Sequence, residues 1–297
     1  MTQAKPFLKW AGGKRQLLND IENDLPSHIL KTKQIDLYIE PFLGGGAVLF
    51  HLLSNYSVKK SIINDINPDL MLCYKIIKHY PEELIKRLGE IQKEYISLDT
   101  EERKEYFYNN LRTPYNELKV DMSKIDSNSS IEKAALLIAL NKTCFNGLFR
   151  QNSKGDFNVP AGRYKNPRIL DEENLKNINM LLQNTDILCG NYDEINIPKN
   201  TQAFIYFDPP YRPLTSNGFT KYSKEDFNDE DQKQLAKYIK KLNKENHYLL
   251  LSNSDTKDGF FDKLYEEFNI RKVSAKRYIN CDASKRGDIN ELIIKNY

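Results

Sequence analysis

Short apolar runs that alternate with helical patterns constrain the fold of this chain more than any other feature of its sequence. The strand-like runs are residues 35–40, 61–64, 187–189, 203–207 and 248–251, and residues 47–53 show the first helical pattern. Strands that alternate with helices are typical of a mainly parallel sheet covered by helices. We therefore predict an α/β fold. Residues 292–295 are expected to add a last strand, at an antiparallel edge of the sheet.

The pattern changes between residues 68 and 184. Residues 81–95 and 131–140 have helical spacing, whereas residues 146–167 are rich in Asn, Gly, Pro and basic side chains. Such a composition predicts loops and a β-hairpin. We therefore expect one α/β domain built from residues 1–74 and 181–297, and an inserted, mainly helical domain at residues 75–180.

Composition excludes several classes of protein. The four cysteines are far apart, with no C-x-x-C, and the four histidines are equally scattered. A disulfide framework and a zinc site are therefore not expected, and we predict no metal cofactor. No apolar stretch approaches the length of about 18 residues that a membrane span needs. The first residues do not resemble a signal peptide, so we expect a cytoplasmic protein with no membrane partner.

The net charge of only +3 hides a strong segregation of charge along the chain. Residues 141–168 hold six basic residues and one acidic residue, and residues 271–286 show the same counts. Segregated positive charge is what a one-sided surface for a polyanion requires. For either run alone, an ordinary solvated surface is the simpler interpretation.

A glycine turn predicts a nucleotide-like ligand. Residues 40–46 read EPFLGGG where a strand passes to a helix, and Asp65 follows about twenty residues later at the end of the next strand. In this kind of unit such an acid accepts hydrogen bonds from ribose hydroxyls. The turn lacks the Gly-Lys-Ser/Thr ending of a P-loop, which disfavours a triphosphate. The alternative is that the glycines only allow the backbone to make a tight turn and bind no ligand.

A second glycine-bearing loop lies at residues 7–14. Lys14 could pair with a carboxylate of the ligand, and Trp10 could pack on an aromatic or cationic group. The alternative places Trp10 in the core and Lys14 in solvent.

Residues 205–211, which read IYFDPPY, carry the most chemical information. The apolar strand ends at an acid, two prolines and an aromatic residue, in the crevice where open α/β sheets bind ligands. Asp208 and the carbonyl of Pro209 could accept the two hydrogen bonds of an amino group, while Tyr211 stacks on a flat heterocycle. Two acceptors favour attack of the amine lone pair on an activated methyl group. A rigid turn after a strand is the alternative.

Taken together, these motifs resemble the DNA adenine methyltransferase (Dam) family, including its relatives in restriction–modification systems. The resemblance covers nearly the whole chain, and its elements come in the family's order. Residues 145–150 and 157–164 resemble the family's DNA-recognition hairpin. Residues 217–222 resemble the flexible segment that follows the catalytic motif.

The resemblance implies a Rossmann-like S-adenosylmethionine-dependent methyltransferase that modifies the exocyclic amine of a flipped adenine in double-stranded DNA, within GATC. The domain of residues 1–74 and 181–297 would bind the cofactor, and residues 75–180 would recognise DNA. A cognate restriction endonuclease could act separately. The implied catalytic residues are Asp208, Pro209 and Tyr211. The implied cofactor-binding residues are Trp10, Lys14, Glu40, Phe42, Gly44, Asp65 and Asp208. The implied DNA-binding residues are Lys9, Phe145, Asn146, Leu148, Arg150, Pro160 and Tyr164.

Within that set, Arg150 is assigned to a guanine edge, for which a bidentate arginine is the apt donor. Phe145 is assigned as an aromatic wedge. The alternatives are an ordinary surface arginine for Arg150 and an ordinary core position for Phe145.

Two other functions stay open at this point. The same chemistry could act on an RNA base or on a protein glutamine, although glutamine enzymes typically carry Asn where this chain has Asp208. Labelled cofactor offered with DNA, RNA and protein would separate these. A DNA-binding module without catalysis could also keep this fold, and a cofactor titration would decide that case.

Overall fold

The computed structural model describes residues 2–120, 125, 127–212, 227–276 and 288–297. The chain forms two compact units. The first, called the helical unit below, comprises Met1–Gly13, Gly44–Ser54 and Asp65–Gly190; the second, the sheet unit, comprises Lys14–Leu43, Asn55–Asn64 and Asn191–Tyr297. The expected inserted domain covered residues 75–180, and the boundaries of the two observed units differ from those limits. The division into a cofactor-binding domain and a DNA-recognition domain stays a prediction.

The described strands are numbered in chain order. They are β1 (Gln34–Glu40), β2 (Ser57–Ile63), β3 (Thr185–Ile187), β4 (Phe204–Phe207), β5 (Tyr248–Ser254), β6 (Asn269–Lys276) and β7 (Asp288–Lys295). In the sheet unit their order is β2-β1-β4-β5-β7-β6. The first four of these are parallel, and β7 is antiparallel to both β5 and β6. The predicted Rossmann-like α/β fold is confirmed.

The end of the sheet differs from the prediction in two respects. The last strand is antiparallel, as expected, but the predicted edge position is wrong because β6 pairs with its other side. β6 itself was not predicted, since its sequence NIRKVSAK lacks a clear alternation of apolar and polar residues.

The second basic run begins inside β6. Arg271 binds Asp20 and Asp24, and Lys272 lies 3.1 Å from Asp255, so these two charges are paired within the sheet unit. Residues 277–287, which hold three of the run's six basic residues, lie outside the described part of the chain.

The sheet is covered by helices of its own unit. They are α1 (Leu18–Asn23), α2 (Ser27–Thr32), α10 (Asp229–Lys244) and α11 (Phe260–Leu264). α10 begins at a capping box in which Asn228 and Asp231 satisfy each other's backbone N–H groups. Its apolar face joins the core formed by β1, β4 and β5. This packing fixes the carboxyl edge of the sheet, where β4 ends and the IYFDPPY motif continues.

The helical unit contains the remaining helices. They are α3 (Ala47–Asn55), α4 (Pro68–His79), α5 (Pro81–Ser97), α6 (Thr100–Tyr106), α7 (Thr113–Glu117), α8 (Ser127–Thr143) and α9 (Glu172–Leu181). A π-helical stretch, Phe107–Arg112, joins α6 to α7. α8 is buried on every side from residue 134 to residue 141, because α4, α5 and the π-helical stretch surround it. No helix in the described part of the chain is both long enough and apolar enough to span a membrane.

Candidate active site

The DPPY motif forms a corner, residues 208–211, directly after β4. All four residues of β4 are buried, and the chain leaves the sheet at Asp208. Pro209 is buried and Pro210 is exposed. Two consecutive prolines fix the backbone φ angles here, so the acid and the aromatic ring have little freedom relative to each other. We call residues 208–211 the acidic corner.

Lys14 binds the acidic corner in two ways. Its Nζ lies 2.7 Å from Asp208 Oδ1, and its side chain is only 6% exposed against 18% for Asp208. The same ammonium lies 4.4 Å from the ring centroid of Tyr211. The corner therefore accommodates an amino group that donates to the carboxylate while lying over the aromatic ring.

The electrostatic environment of Asp208 makes its carboxyl unusually basic. Burial raises the pKa of Asp208 to about 6, although the ammonium of Lys14 favours the charged form. The nearby carboxylate of Glu291 raises the pKa of Asp208 further. Asp208 is therefore mostly an ionised acceptor at neutral pH and becomes protonated on mild acidification.

Three side chains hold the corner in place. Gln232 on α10 donates to the carbonyl of Pro210 at 3.0 Å, and Ser254 on β5 donates to the carbonyl of Arg212 at 2.9 Å. The hydroxyl of Tyr211 donates to Glu291 on β7 at 2.5 Å. Glu291 and Gln232 are residues that sequence reasoning missed, since neither lies in a recognisable motif.

Downstream of the corner, Arg212 forms ion pairs with Asp229 and Asp258. The predicted flexible segment, residues 217–222, lies outside the described residues.

Glu40 and Phe42 lie at the end of β1 in the same unit. Glu40 is 2% exposed and accepts a hydrogen bond of 2.6 Å from the hydroxyl of Tyr38. Burial and the adjacent Glu40 carboxylate raise the pKa of Tyr38 well above its usual value. Phe42 packs against the rings of Tyr192 and Phe227. Both predicted cofactor residues thus have partners inside the sheet unit.

In the helical unit, the glycine turn meets Asp65. Gly44 N donates to Asp65 Oδ2 at 2.9 Å, and Asn67 N donates to Oδ1 at 3.0 Å. Burial raises the pKa of Asp65, whereas these backbone N–H groups favour its charged form. The backbone N–H of Ile66 also bonds this carboxylate, whose two oxygens offer about four acceptor sites, so one site is left for a ligand hydroxyl. Ile66, which sequence reasoning missed, is 65% exposed beside this acid and offers an apolar surface.

Trp10 packs against the glycine turn. Gly44 has a φ angle of +50°, and a Cβ added to it would lie 3.1 Å from Trp10 Cδ1, so this position requires glycine. The indole stacks on Phe149, with 4.9 Å between ring centroids and an interplanar angle of 23°. Trp10 is therefore held by an aromatic partner from the predicted hairpin.

The predicted hairpin is an antiparallel ribbon, residues 143–164. Its pairing is limited to two isolated bridges, Cys144 with Ala161 and Gln151 with Phe157. Main-chain bonds join the two halves, among them Phe145 N to Pro160 O at 2.9 Å. We call this segment the hairpin ribbon.

The predicted DNA-binding side chains line this ribbon. Phe145 is 49% exposed, which is unusual for a large aromatic residue in water. Asn146 adopts a left-handed conformation with φ 56°, while Leu148 is half-buried. The guanidinium of Arg150 is oriented by Asn158, whose Oδ1 accepts from Arg150 Nε at 2.7 Å.

Lys9 lies beside the ribbon because Asn141 holds it there. The side chain of Asn141 bonds both the N–H and the carbonyl of Lys9, at 2.8 and 2.9 Å, and also the carbonyl of Gly147. Lys9 Nζ in turn reaches the hydroxyl of Tyr164 at 3.4 Å. Asn141 was not predicted, because a buried amide inside a helix gives no sequence signal.

Among the residues that the structure describes, no group of three or more His, Cys, Asp or Glu side chains could hold a metal ion. The absence of a metal cofactor stays a prediction.

Comparisons with known proteins converge on one family. The family described as D12 class N6 adenine-specific DNA methyltransferase matches residues 10–279. The type II methyltransferase M.MjaIII of Methanocaldococcus jannaschii is 54% identical over 297 residues, which cover 99% of this chain and 100% of that protein. The type II methyltransferase M1.LlaDCHI of Lactococcus lactis is 39% identical over 99% of this chain and 95% of its own. A DNA adenine methylase of Vibrio cholerae is 32% identical over 99% and 96%, respectively.

Proposed function

Because this chain belongs to the D12 class of N6 adenine-specific DNA methyltransferases, we propose that it transfers a methyl group from S-adenosylmethionine to a flipped adenine in duplex DNA. The observation that carries this proposal is the contact of Lys14 with the acidic corner. A primary amine there donates to Asp208 at 2.7 Å and lies over the ring of Tyr211. The exocyclic amine of adenine also presents N–H donors, two in number, and its ring is the flat partner that a tyrosine face suits.

In this proposal Asp208 and the carbonyl of Pro209 accept the two N–H groups of the adenine amine. Their pull would draw the nitrogen lone pair out of conjugation with the ring and so make the amine a better nucleophile. The base has to leave the duplex, because its amine is otherwise paired inside the stack. Tyr211 then provides the stacking surface that the base loses on flipping. Lys14 gives up its contact with Asp208 when the base enters.

The residues of the glycine turn fit S-adenosylmethionine, which when bound supplies an activated methyl group on a sulfonium. Asp65 keeps an acceptor site for a ribose hydroxyl, and Gly44 lets a ligand approach the backbone. The exposed side chain of Ile66 suits the flat face of an adenine ring. Among the other cofactor candidates, Glu40 and Lys14 are assigned through the family resemblance.

The hairpin ribbon is proposed to read the target, which we expect to be GATC. Arg150 has its Nε engaged by Asn158, which orients the guanidinium and leaves other donors for a guanine edge. Phe145, being exposed and apolar, fits an aromatic wedge between bases. Lys9 and Tyr164, which contact each other, would add base or phosphate contacts. The names of the two most identical relatives given above support a separately acting restriction endonuclease as a partner.

Methyl transfer itself can be tested with S-adenosylmethionine labelled at its methyl group. The enzyme is incubated with duplex DNA that holds one GATC, with a matched duplex that holds GTAC, with RNA and with protein. We expect label only in the GATC duplex, recovered as N6-methyl-2′-deoxyadenosine after digestion to nucleosides. Label on cytosine, RNA or protein would contradict the proposed reaction, and equal label in both duplexes would contradict the proposed target.

A further inference from the structure

The hydroxyl of Tyr211 donates to a side chain on a strand that is paired on both sides. Its acceptor, Glu291, lies on β7 opposite Ser254 on β5 and Val273 on β6. A residue that is paired on both sides has a fixed backbone, so the position of its carboxylate is well defined. The acceptor of Tyr211 therefore belongs to the sheet and not to a loop.

This bond controls the orientation of the aromatic ring. The prolines and the bonds to the Pro210 and Arg212 carbonyls fix the backbone on both sides of Tyr211. The hydroxyl bond to Glu291 fixes the far end of the side chain. Because the phenolic O–H lies in the ring plane and hydrogen bonds are directional, an acceptor at a fixed place also favours one ring plane. Without it, the ring could turn about its own axis.

We propose that Glu291 is a positioning residue, which holds the ring of Tyr211 in the plane needed to stack on the flipped adenine. The inference rests on the proposed function, since adenine is the stacking partner. Glu291 touches neither the base nor the methyl group in this scheme and acts through Tyr211. Its role is thus distinct from that of Asp208, which accepts from the reacting amine.

A second effect of Glu291 gives an independent measurement. Its negative charge raises the pKa values of Asp208 and Tyr211. Among the residues that the structure describes, the ionisable groups that interact with Asp208 are Lys14, Tyr38, Tyr206, Tyr211 and Glu291. Replacing Glu291 by glutamine keeps an acceptor oxygen for Tyr211 but removes one negative charge from this group. Positioning and charge can therefore be separated by the choice of substitution.

The experiment compares Glu291→Leu, Glu291→Gln, Tyr211→Phe and the double variant Tyr211→Phe/Glu291→Leu in single-turnover methylation of duplex DNA. We expect Glu291→Leu and Tyr211→Phe each to lower the rate by roughly tenfold, as expected for a lost hydrogen bond to a charged acceptor. The double variant should be no slower than either single variant, because both remove the same bond. Glu291→Gln should keep most of the rate, with its pH profile moved to lower pH.

Glu22 provides a matched control. It accepts a hydrogen bond of 2.7 Å from the hydroxyl of Tyr56 in the same unit, away from the acidic corner. Glu22→Leu breaks a bond of the same kind and should leave turnover unchanged. Unaltered turnover in Glu291→Leu would overturn the inference, and so would a double variant whose loss equals the product of the two single losses.

A measurement without DNA keeps the inference separate from the proposed function. In protein labelled with 3-fluorotyrosine, the ¹⁹F resonance of Tyr211 is identified by its absence in Tyr211→Phe. We expect this resonance to shift or broaden in Glu291→Leu and to stay in place in Glu22→Leu. If the wild type fails to methylate DNA, the proposed function fails. An unchanged Tyr211 resonance in Glu291→Leu would overturn the positioning role whatever the activity.

Discussion

The acidic corner and the hairpin ribbon are held in opposite ways. The corner is only four residues long, and side chains from α10, β5 and β7 fix it against a buried strand. The ribbon spans residues 143–164 and is held mostly by its own main-chain bonds, with its predicted reading side chains directed to the surface. Asp208 is mostly buried, whereas Arg150 and Phe145 are exposed.

This difference matches two separate physical requirements. A group that polarises an amine acts best in a dry, preorganised place, because water weakens electrostatic interactions. A group that reads base edges has to reach into a groove and therefore has to be accessible. Changes in the corner should consequently affect the rate of methyl transfer, and changes in the ribbon should affect the choice of sequence.

The largest effect is expected from Asp208→Ala. Removing the carboxylate leaves the adenine amine without its charged acceptor, so methyl transfer should fall by about a thousandfold or more, while affinity for GATC duplex stays within a few-fold. Single-turnover kinetics and equilibrium binding measure the two quantities. Asp262→Ala, which removes an exposed acid on α11, serves as the control. A rate of methyl transfer close to that of the wild type in Asp208→Ala would contradict the role assigned to this residue.

A smaller and different effect is expected from Arg150→Ala. Loss of a bidentate contact to guanine should reduce discrimination at that base pair by roughly 10- to 100-fold, with a lesser change in rate on GATC itself. Competition between GATC and singly substituted duplexes measures it. Arg168 pairs with Asp171 outside the ribbon, so Arg168→Ala is the matched control. If the Arg150→Ala variant kept its preference for every base of the target, Arg150 would have no role in reading the DNA sequence.

Acidification should affect the corner alone. Because burial raises the pKa of Asp208 to about 6, its acceptor form is lost as the pH falls through that value. Between pH 7 and pH 5, the single-turnover rate should fall roughly tenfold. The predicted DNA contacts of the ribbon do not involve Asp208, so DNA affinity should stay nearly constant. A flat rate profile would contradict the raised pKa, and parallel loss of affinity would contradict the separation of the two regions.

The fold was predictable where the apolar pattern is strong. The run at residues 203–207 coincides with β4 to within one residue, since a buried parallel strand is apolar at every position. β6 escaped prediction because its sequence lacks a clear alternation of apolar and polar residues. The place of β7 between β5 and β6 could not be derived from sequence, because strand order depends on contacts between distant segments.

The sequence predicted the residues of the candidate site that lie in motifs, but not the residues that hold those motifs in place. Neighbouring residues of unusual composition make four site residues recognisable from sequence: Asp208, Tyr211, Gly44 and Asp65. Gln232, Asn141 and Glu291 act through single side chains that reach a distant loop, and one polar residue in a helix or strand carries no local pattern. Only the three-dimensional arrangement shows which loop each of them holds.

The hydrogen bonds between Asn141 and the first residues of the chain have a consequence for the production of this protein. Lys9 is bonded through its backbone to Asn141, and Lys5 is bonded in the same manner to Asn174. Hydrogen bonds thus fix the first residues of the chain to α8 and α9, before the first strand begins. Shortening it by ten residues, or choosing a later start codon, would strip a partner from the segment next to Gly147. If the hairpin ribbon reads the target as proposed, a preparation made in that way is expected to discriminate less well between DNA sequences.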